Sequence, residues 1–193
     1  MVIYVIRHSR PDIREDVCYG QSEVKLLQWH FERTIKRLQS QVLINRNTTL
    51  YSSPSKRCVQ LARALSKAPC RIRVDHRLSE LDFGDWEMKL WEDIDDTELL
   101  GWGSDYVFNK IPGGESYHQL YERVCDFWQY LVRENPDEAV VCTHGGVIKA
   151  ILTHILDMPV NNSFSFQLRY GDTFRIVRNE HQPYLVEFLP NPS

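Results

Sequence analysis

Two short runs of apolar residues mark the chain, one at residues 2–6 and the other at residues 139–143. Both lack an alternation with polar residues and are rich in β-branched side chains, which is typical of strands covered on both faces. Shorter apolar or alternating runs predict further strands. These further strands fall at residues 48–51, 71–75, 164–168, 174–177 and 184–188.

Between these runs, apolar residues recur at intervals of three or four, the spacing of amphipathic helices. The predicted helices cover residues 25–41, a segment that begins at Ser53 and Pro54, residues 115–133 and residues 147–156. Ser53 is expected to cap its helix, with Pro54 in the first helical position. The acidic and aromatic segment 78–100 is expected to be part loop and part helix.

Strands that alternate with helices predict a mostly parallel sheet with helices on both of its faces. We therefore expect an α/β fold, a three-layer α/β/α sandwich with a mostly parallel central sheet and an antiparallel edge near the carboxyl terminus. No linker, repeat or low-complexity tract interrupts the 193 residues. The pattern thus predicts one domain over residues 1–193.

Composition narrows the possible functions. Hydrophobic residues make up 42% of the chain and charged residues 25%, which favours a folded globular protein. The formal net charge is only −3 at pH 7, so we expect no general attraction to nucleic acid or to acidic membranes. Any bound anion must be held by a local cluster, and the sequence makes no prediction of oligomeric state.

The sequence shows no run of about 18 apolar residues that could span a membrane. Its amino-terminal residues also lack the basic region and cleavage site of an export signal, which predicts a cytoplasmic protein. The cysteines are odd in number, scattered and without a C-x-x-C pair, so reduced thiols are expected and no metal site or cofactor is predicted. These cysteines are Cys18, Cys58, Cys70, Cys125 and Cys142.

The candidate chemistry lies where the two apolar strands end. Arg7 and His8 follow the first strand, and His144 with two glycines follows the later one. Since the carboxyl ends of parallel strands meet at one edge of a sheet, these side chains would meet there if the strands are neighbours. Arg57, in the first turns of a helix, could bind the same anion through its forked donors. Two arginines, two histidines and a helix amino terminus together predict a phosphate site.

The remaining histidines lack such a setting and are interpreted as surface or packing residues. They are His30, His76, His118, His154 and His181. A carboxylate for proton transfer is harder to choose, because residues 80–87 contain four able candidates. From the residues alone, Glu80, Asp82, Asp85 and Glu87 remain equally possible.

Five motifs, taken in order, resemble those of the histidine phosphatase superfamily in its phosphoglycerate-mutase-like branch. They cover residues 5–9, 52–60, 78–87, 112–116 and 143–146. The resemblance extends over nearly the whole chain and implies the phosphoglycerate-mutase-like form of the α/β/α sandwich. It also implies a phosphomonoesterase that acts on a small phosphorylated metabolite and needs no metal.

Carried over position by position, the resemblance makes His8 the nucleophile and Glu80 the proton donor. Arg7, Arg57 and His144 would hold the phosphoryl group. Gln21 is a further candidate, since its amide could donate to phosphate or substrate or could equally belong to the surface. The reaction implied is covalent and passes through a phosphohistidine intermediate.

Within the superfamily, the chain is most similar to the α-ribazole phosphatases, which remove a 5′-phosphate late in cobalamin synthesis. The cues are residues 17–21, residues 80–87 and the short length. Residues 9–11, Ser-Arg-Pro, depart from the family pattern, as does Leu61 after Gln60. These departures leave the choice of leaving group open.

Three alternatives remain beside an α-ribazole phosphatase. One is a broad-specificity or sugar phosphate phosphatase of the same superfamily. Another is a phosphoglycerate mutase. Mutases usually carry an additional insertion near the site, and this chain is short for a protein that contains one. The third is a non-enzymatic module that senses phosphorylated ligands, which the intact His8, Glu80 and arginine pair disfavour.

Overall fold

The computed structural model describes residues 1–42, 44–66, 71–179 and 184–189. Its strands are β1 (Val2–Arg7), β2 (Thr49–Ser52), β3 (Ile72–Val74), β4 (Glu138–Thr143), β5 (Thr173–Val177) and β6 (Leu185–Leu189). Its α-helices are α1 (Gln28–Gln41), α2 (Lys56–Leu65), α3 (Asp96–Ser104), α4 (Tyr117–Glu134) and α5 (Gly145–Ile155). Short 3₁₀ helices lie at His76–Leu78, Gly84–Trp86, Trp91–Asp93 and Val160–Ser165. Cys70 and His181 fall outside the described residues.

The strands form one sheet in the order β3-β2-β4-β1-β5-β6. The first four are mutually parallel, whereas β5 runs antiparallel to both β1 and β6. Both the mostly parallel sheet and its antiparallel part near the carboxyl terminus are therefore confirmed. In the register between β1 and β4, Arg7 lies opposite Thr143, so the two strands end at the same edge.

Helices cover both faces of the sheet. Successive strand residues point to opposite sides, so each face presents its own apolar side chains to the helices that pack on it. Ile3 and Val5 of β1 belong to the core that contains the buried faces of α4 and α5. Ile6 belongs to a second core, formed with Leu38 of α1 and Leu61 of α2. Two separate apolar cores on either side of one sheet are the expected three-layer sandwich.

One predicted strand is wrong. Residues 164–168 do not pair with the sheet; the 3₁₀ helix Val160–Ser165 and an irregular segment occupy this stretch. The hydroxyl of Thr153 on α5 donates to that of Ser163 over 2.9 Å, and the Phe164 ring packs edge-on against Tyr117 at 5.0 Å. These contacts hold the segment against helices, while β5 already pairs with β1.

The helix starts also differ from the prediction. Helix α1 begins at Gln28 and not at 25, α2 at Lys56 with Ser55 at its N-cap, α4 at Tyr117 and not at 115, and α5 at Gly145 and not at 147. Ser53 and Pro54 therefore precede α2; the Ser53 hydroxyl accepts from the backbone N–H of Ser55 over 3.3 Å and lies 2.7 Å from His144 Nε2. Helix α4 begins after Ser116, whose side chain completes a capping box with Gln119.

The described cysteines, Cys18, Cys58, Cys125 and Cys142, are free thiols. Burial raises the pKa of Cys142 to about 12, so this thiol stays protonated and packs as a small apolar side chain. Across the described ranges, no helix combines the length and apolar character needed to cross a membrane.

Candidate active site

His8 and His144 meet at the edge where β1 and β4 end. Their ring centroids lie 5.1 Å apart in an edge-on arrangement, and both side chains are buried. The structure therefore brings together the two histidines that the sequence placed at strand ends. The adjacency of β4 and β1 in the sheet causes this, although 136 residues separate the two histidines in the chain.

The imidazole of His8 has a defined tautomer. Its Nδ1 lies 2.8 Å from the carbonyl oxygen of Ser9, and a carbonyl can only accept a hydrogen bond, so Nδ1 carries the proton. Nε2 is then the unprotonated nitrogen of the neutral ring. Burial, with the charges of Arg57 and Arg7, holds the pKa of His8 well below its usual value. The ring is thus uncharged near neutral pH, with the lone pair of Nε2 available.

Arg57 reaches the same place from the first turn of α2 and is 1% exposed. Its Nη1 donates to the carbonyl of Ser22 over 2.8 Å, and its Nη2 donates to the carbonyl of Gly20. Nη2 also lies 3.3 Å from Nδ1 of His144. The remaining donor, Nε, is buried without a hydrogen-bond partner in the described chain.

Arg7, the last residue of β1, has a similar arrangement. Its Nη1 donates to the carbonyl of Leu168 over 2.6 Å, and the guanidinium lies 4.0 Å from the ring centroid of Tyr170. Its Nε is likewise buried without a hydrogen-bond partner among the described residues. Buried donors usually have partners, so two such donors beside His8 mark a place where an acceptor from a ligand would bind.

His144 occupies the N-cap of α5. A guanidinium only donates, so Nδ1 of His144 accepts from Arg57, and Nε2 carries the proton that it donates to Ser53 Oγ over 2.7 Å. Burial, with the charges of Arg57, His8 and Arg7, lowers the pKa of His144 well below its usual value. Both imidazoles of the pair are therefore neutral near pH 7.

Glu80 lines the main cavity together with His8. Its carboxylate accepts from the backbone N–H of Gly146 over 3.1 and 3.2 Å, and from that of Leu81 over 3.0 Å. The first of these donors belongs to the first turn of α5, where a negative charge interacts well with the helix dipole. At the amino terminus of α5, where the sequence predicts an anion site, one of the backbone donors is therefore already bonded to Glu80.

Two of the other three carboxylates accept hydrogen bonds from backbone N–H groups of loops. Glu87 accepts from the backbone N–H groups of Gly20 and Ser22 over 3.0 and 3.1 Å, and Asp82 accepts from that of Gly84. Burial alone would raise the pKa of Glu87, but these hydrogen bonds lower it. Neither these two residues nor Asp85 lines the cavity beside His8. The structure thus separates Glu80 from the alternatives that the sequence left open.

Gln21 lies at the rim and is exposed. Its side-chain amide donates to the backbone carbonyl of Glu80 over 3.1 Å. A small cavity of about 100 Å³ beside it is also lined by Arg57, Glu80 and His144. Gln21 therefore borders the predicted site, and its amide nitrogen fastens the loop to the segment that carries Glu80.

The main cavity has a volume of about 870 Å³ and extends from His8, Arg7 and Glu80. Much of its wall is aromatic, contributed by segments far apart in the chain. These aromatic residues are Tyr19, Phe83, Trp91, Tyr117, Phe164, Phe166, Tyr170 and Phe188. Such a space suits a ligand larger than phosphate, with apolar or aromatic surface to bury.

Lys149 and Tyr170 are among the polar residues of this cavity that the sequence analysis did not identify. Lys149 follows Gly145 by one helical turn, so its presence on the same face of α5 was available from spacing. Its Nζ lies 4.1 Å from the ring centroid of Phe164, and none of the ion pairs among the described residues includes it. Tyr170 lies beside His8, with ring centroids 5.7 Å apart. No local signal marks Tyr170, because its position depends on how residues 166–172 return to the sheet.

Taken together, a neutral buried histidine, the buried guanidinium of Arg57, the partly buried guanidinium of Arg7 and a carboxylate in the same cavity can bind a phosphoryl group and transfer it. Within the described ranges, no group of three or more His, Cys, Asp or Glu side chains is arranged to hold a metal ion. The fold and site are those of an α/β phosphoryl-transfer enzyme.

The family follows from comparison with known proteins. Residues 3–189 match the model of the histidine phosphatase superfamily, branch 1. The chain belongs to this superfamily and is a histidine phosphatase.

Curated relatives carry different names. The chain is 25% identical over 171 residues to the "Putative phosphoserine phosphatase 2" of Hydrogenobacter thermophilus, covering 86% of this chain and 84% of the relative. It is also 25% identical over 185 residues to the adenosylcobalamin/alpha-ribazole phosphatase of Escherichia coli K12, covering 89% and 87%. Among solved structures, the alpha-ribazole phosphatase from Shigella flexneri superposes with a TM-score of 0.87 at 22% identity, over 98% of this chain and 96% of that one. That last likeness confirms the fold.

Proposed function

We propose that the protein hydrolyses phosphomonoesters through a phosphohistidine intermediate at His8. In the first step, Nε2 of His8 forms a bond to phosphorus while the ester P–O bond breaks. Glu80, in its protonated form, gives its proton to the departing alkoxide. In the second step, Glu80 takes a proton from water, the water oxygen bonds to phosphorus, and the P–N bond breaks to release phosphate.

The observation that carries this proposal is the hydrogen bonding of Arg7, Arg57 and His8. The buried Nε atoms of Arg7 and Arg57 have no partner in the described chain, and the His8 tautomer leaves Nε2 unprotonated. Positive charge from two guanidinium groups would stabilise the charge that builds on the phosphoryl oxygens. In this proposal His144 acts on the same group through Arg57, because its Nδ1 accepts from that guanidinium and its single N–H is donated to Ser53.

For the substrate, we infer α-ribazole 5′-phosphate, with α-ribazole as the leaving group, which would place the reaction in cobalamin synthesis. The aromatic wall of the 870 Å³ cavity supports this choice, since α-ribazole carries an aromatic base that needs apolar surface. The name of the Escherichia coli relative points the same way. A phosphatase of broad or sugar phosphate specificity in the same superfamily is the alternative.

One observation favours a second candidate substrate class. Lys149 places a half-buried ammonium group in the leaving-group cavity, and none of the ion pairs among the described residues includes it. Burial is the main cause that lowers the pKa of Lys149, and the charge of Glu80 acts in the opposite direction. An alcohol that carries a carboxylate, as in phosphoserine, would add a second negative charge near this ammonium group. The name of the Hydrogenobacter relative agrees with such a substrate.

The test is phosphate release from α-ribazole 5′-phosphate, phosphoserine, 3-phosphoglycerate, several sugar phosphates and 4-nitrophenyl phosphate. A kcat/KM preference for the ribazole ester supports the first assignment, and a preference for phosphoserine that Lys149→Met removes supports the second. Similar slow rates across the panel favour broad specificity. Isomerised phosphoglycerate without phosphate release would show a mutase, and binding without turnover would show a sensor.

The covalent step has its own test. Wild-type protein quenched with substrate should carry a phosphoryl group that is stable in base and labile in acid, attached to residue 8. His8→Ala should show neither this adduct nor turnover, whereas His76→Ala, a change at an exposed histidine outside the site, should show both. Full activity in His8→Ala, or an adduct on another residue, would reject the mechanism.

A further inference from the structure

The largely buried guanidinium of Arg123, on α4, donates hydrogen bonds to the segment that carries Glu80. Nη1 of Arg123 donates to the carbonyls of Arg77 and Ser79 over 2.8 and 2.7 Å. Nη2 donates to the carbonyl of Glu80 over 3.0 Å. One planar group thus contacts three carbonyls within four residues, although Arg123 lies 43 residues from Glu80 in the chain.

The opposite edge of this guanidinium is held by Glu115. Nε of Arg123 donates to Glu115 Oε2 over 3.1 Å, and Nη2 donates to Oε1. Both side chains are largely buried, with 20% and 16% of their surface exposed. The same Oε1 accepts from the backbone N–H of Asp82 over 3.0 Å. The Arg123–Glu115 pair therefore fixes the chain on both sides of Glu80.

The remaining carbonyl of the segment is also fixed. The hydroxyl of Thr143, at the end of β4, donates to the carbonyl of Leu78 over 2.8 Å. Side chains from α4 and β4 therefore satisfy all four carbonyls from residue 77 to residue 80. This segment contains only the short 3₁₀ helix His76–Leu78, so its shape depends on these donors more than on internal hydrogen bonds.

We propose that Arg123 is a positioning residue for proton transfer by Glu80. It does not line the cavity and touches no reacting atom; it sets the position of the Glu80 backbone, and hence of the carboxylate, relative to His8. Lysine cannot replace it, because a single ammonium group cannot span three carbonyls and a carboxylate in one plane. The inference rests on the proposed role of Glu80 as the proton donor.

A comparison of two leaving groups distinguishes a positioning role of Arg123 from a purely structural one. An alkoxide needs a proton as it departs, whereas 4-nitrophenolate is stable enough to leave without one. Displacement of Glu80 therefore lowers the rate of hydrolysis of alkyl esters and leaves that of aryl esters largely unchanged. Loss of fold, or damage to phosphoryl binding, lowers the rates for both esters together.

The experiment measures kcat/KM for glycerol 2-phosphate and 4-nitrophenyl phosphate in wild type, Glu80→Gln, Arg123→Lys and Arg73→Lys. Arg73→Lys is the matched control, because Arg73 also pairs with a carboxylate of α4, Glu134, but makes no contact with residues 77–80. Thermal unfolding of each variant reports whether it is folded. Since kcat/KM covers the steps up to phosphoenzyme formation, the second use of Glu80 does not enter it.

We expect Arg123→Lys to lower kcat/KM for the alkyl ester by about 10- to 100-fold and that for the aryl ester by less than about threefold, with the control near wild type. Glu80→Gln should show the same selectivity to a larger degree. If Glu80→Gln is selective and Arg123→Lys is not, the positioning role is wrong while the proposed function stands. If Glu80→Gln itself treats both esters alike, Glu80 is not the proton donor and the inference about Arg123 fails with it.

Discussion

The phenolic oxygens of Tyr19 and Tyr170 lie 2.7 Å apart and join two loops that are 151 residues apart in the chain. Each ring also lies beside one of the two arginines of the candidate site: the Arg57 guanidinium is 5.5 Å from the Tyr19 centroid, and that of Arg7 is 4.0 Å from the Tyr170 centroid. Burial and the neighbouring Tyr170 raise the pKa of Tyr19, so its hydroxyl stays protonated. The tyrosine pair thus links the two loops that pack against these arginines.

This relationship predicts energetic coupling between the two tyrosines. Tyr19→Phe and Tyr170→Phe keep both rings against the arginines but remove the hydroxyl contact, so we expect each to cost about 0.5–1.5 kcal/mol of unfolding free energy. The double variant should cost clearly less than the sum of the two. A double-mutant cycle by urea unfolding measures this coupling, and strictly additive effects would contradict it. KM should rise severalfold in Tyr19→Ala, which also removes the ring from Arg57.

Gly146 is predicted to be essential because of its distance from Glu80. A Cβ at this position would lie 2.4 Å from Oε1 of Glu80, whereas one at Gly145 would approach no side-chain atom closer than 3.4 Å. Gly146→Ala must therefore displace the carboxylate or the helix start, and we expect a loss of about 100-fold in kcat/KM for alkyl phosphates. Gly145→Ala should lose much less.

A third alanine variant controls for the effect of the methyl group on helices. A Cβ at Gly103, in α3, would meet no atom within 4 Å. Gly103→Ala should raise the free energy of unfolding by about 0.5–1 kcal/mol and leave the kinetics unchanged. Equal kinetic losses at Gly145 and Gly146 would show that contact with Glu80 is not what makes Gly146 necessary.

Ser53 is predicted to hold His144 in its active tautomer. Ser53→Ala removes the oxygen acceptor for the His144 Nε2 proton and leaves this buried donor with only the Cys58 sulfur, a weak acceptor 3.5 Å away, at a cost of about 1–3 kcal/mol in unfolding free energy. Because Arg57 contacts the other ring nitrogen, the ring should lose orientation and kcat/KM should fall. Ser53→Thr keeps the hydroxyl and should recover most of the activity. Comparable losses in both variants would indicate a packing effect only.

The sequence predicted that His8 and His144 meet at one edge of the sheet, because short-range patterns determine where the two strands end. Two runs of β-branched residues predict buried strands, and the polar residues that follow such strands must lie at their ends; His8 and His144 needed only the adjacency of β1 and β4 to meet. The choice of Glu80 required the resemblance to a family, since four nearby carboxylates looked equivalent. The structure distinguishes them through backbone donors on other segments, such as the Gly20 N–H that binds Glu87.

Other features depend on tertiary contacts that no local pattern carries. The alternating residues 164–168 fit a strand, yet helix contacts of Ser163 and Phe164 hold that stretch outside the sheet. Ser53 and Pro54 fit a helix start, yet the Ser53 hydroxyl contacts His144 from a strand that is distant in sequence. Arg123 resembled an ordinary polar residue of an amphipathic helix, because its carbonyl partners lie more than forty residues earlier.

The final prediction concerns pH, and its sign follows from the neutral histidine pair. The pKa of His8 and that of His144 are both well below the ordinary value in the folded protein, with burial as the main cause. In the unfolded chain both should titrate near about 6.5. The unfolded state therefore binds protons first as the pH falls, and stability that is fully present above this value is lost progressively below it.

Each such histidine contributes up to about 1.4 kcal/mol per pH unit to this loss. We expect the free energy of unfolding, measured in urea from pH 7.5 to pH 5.5, to fall more steeply in wild type than in His8→Gln or His144→Gln. In the folded protein, the NMR signal of the His8 ring should show no titration midpoint at or above pH 6.5. A midpoint there, or equal slopes in all three proteins, would mean that His8 is not held neutral by its surroundings, and the proposed nucleophile would then need a base to deprotonate it near neutral pH.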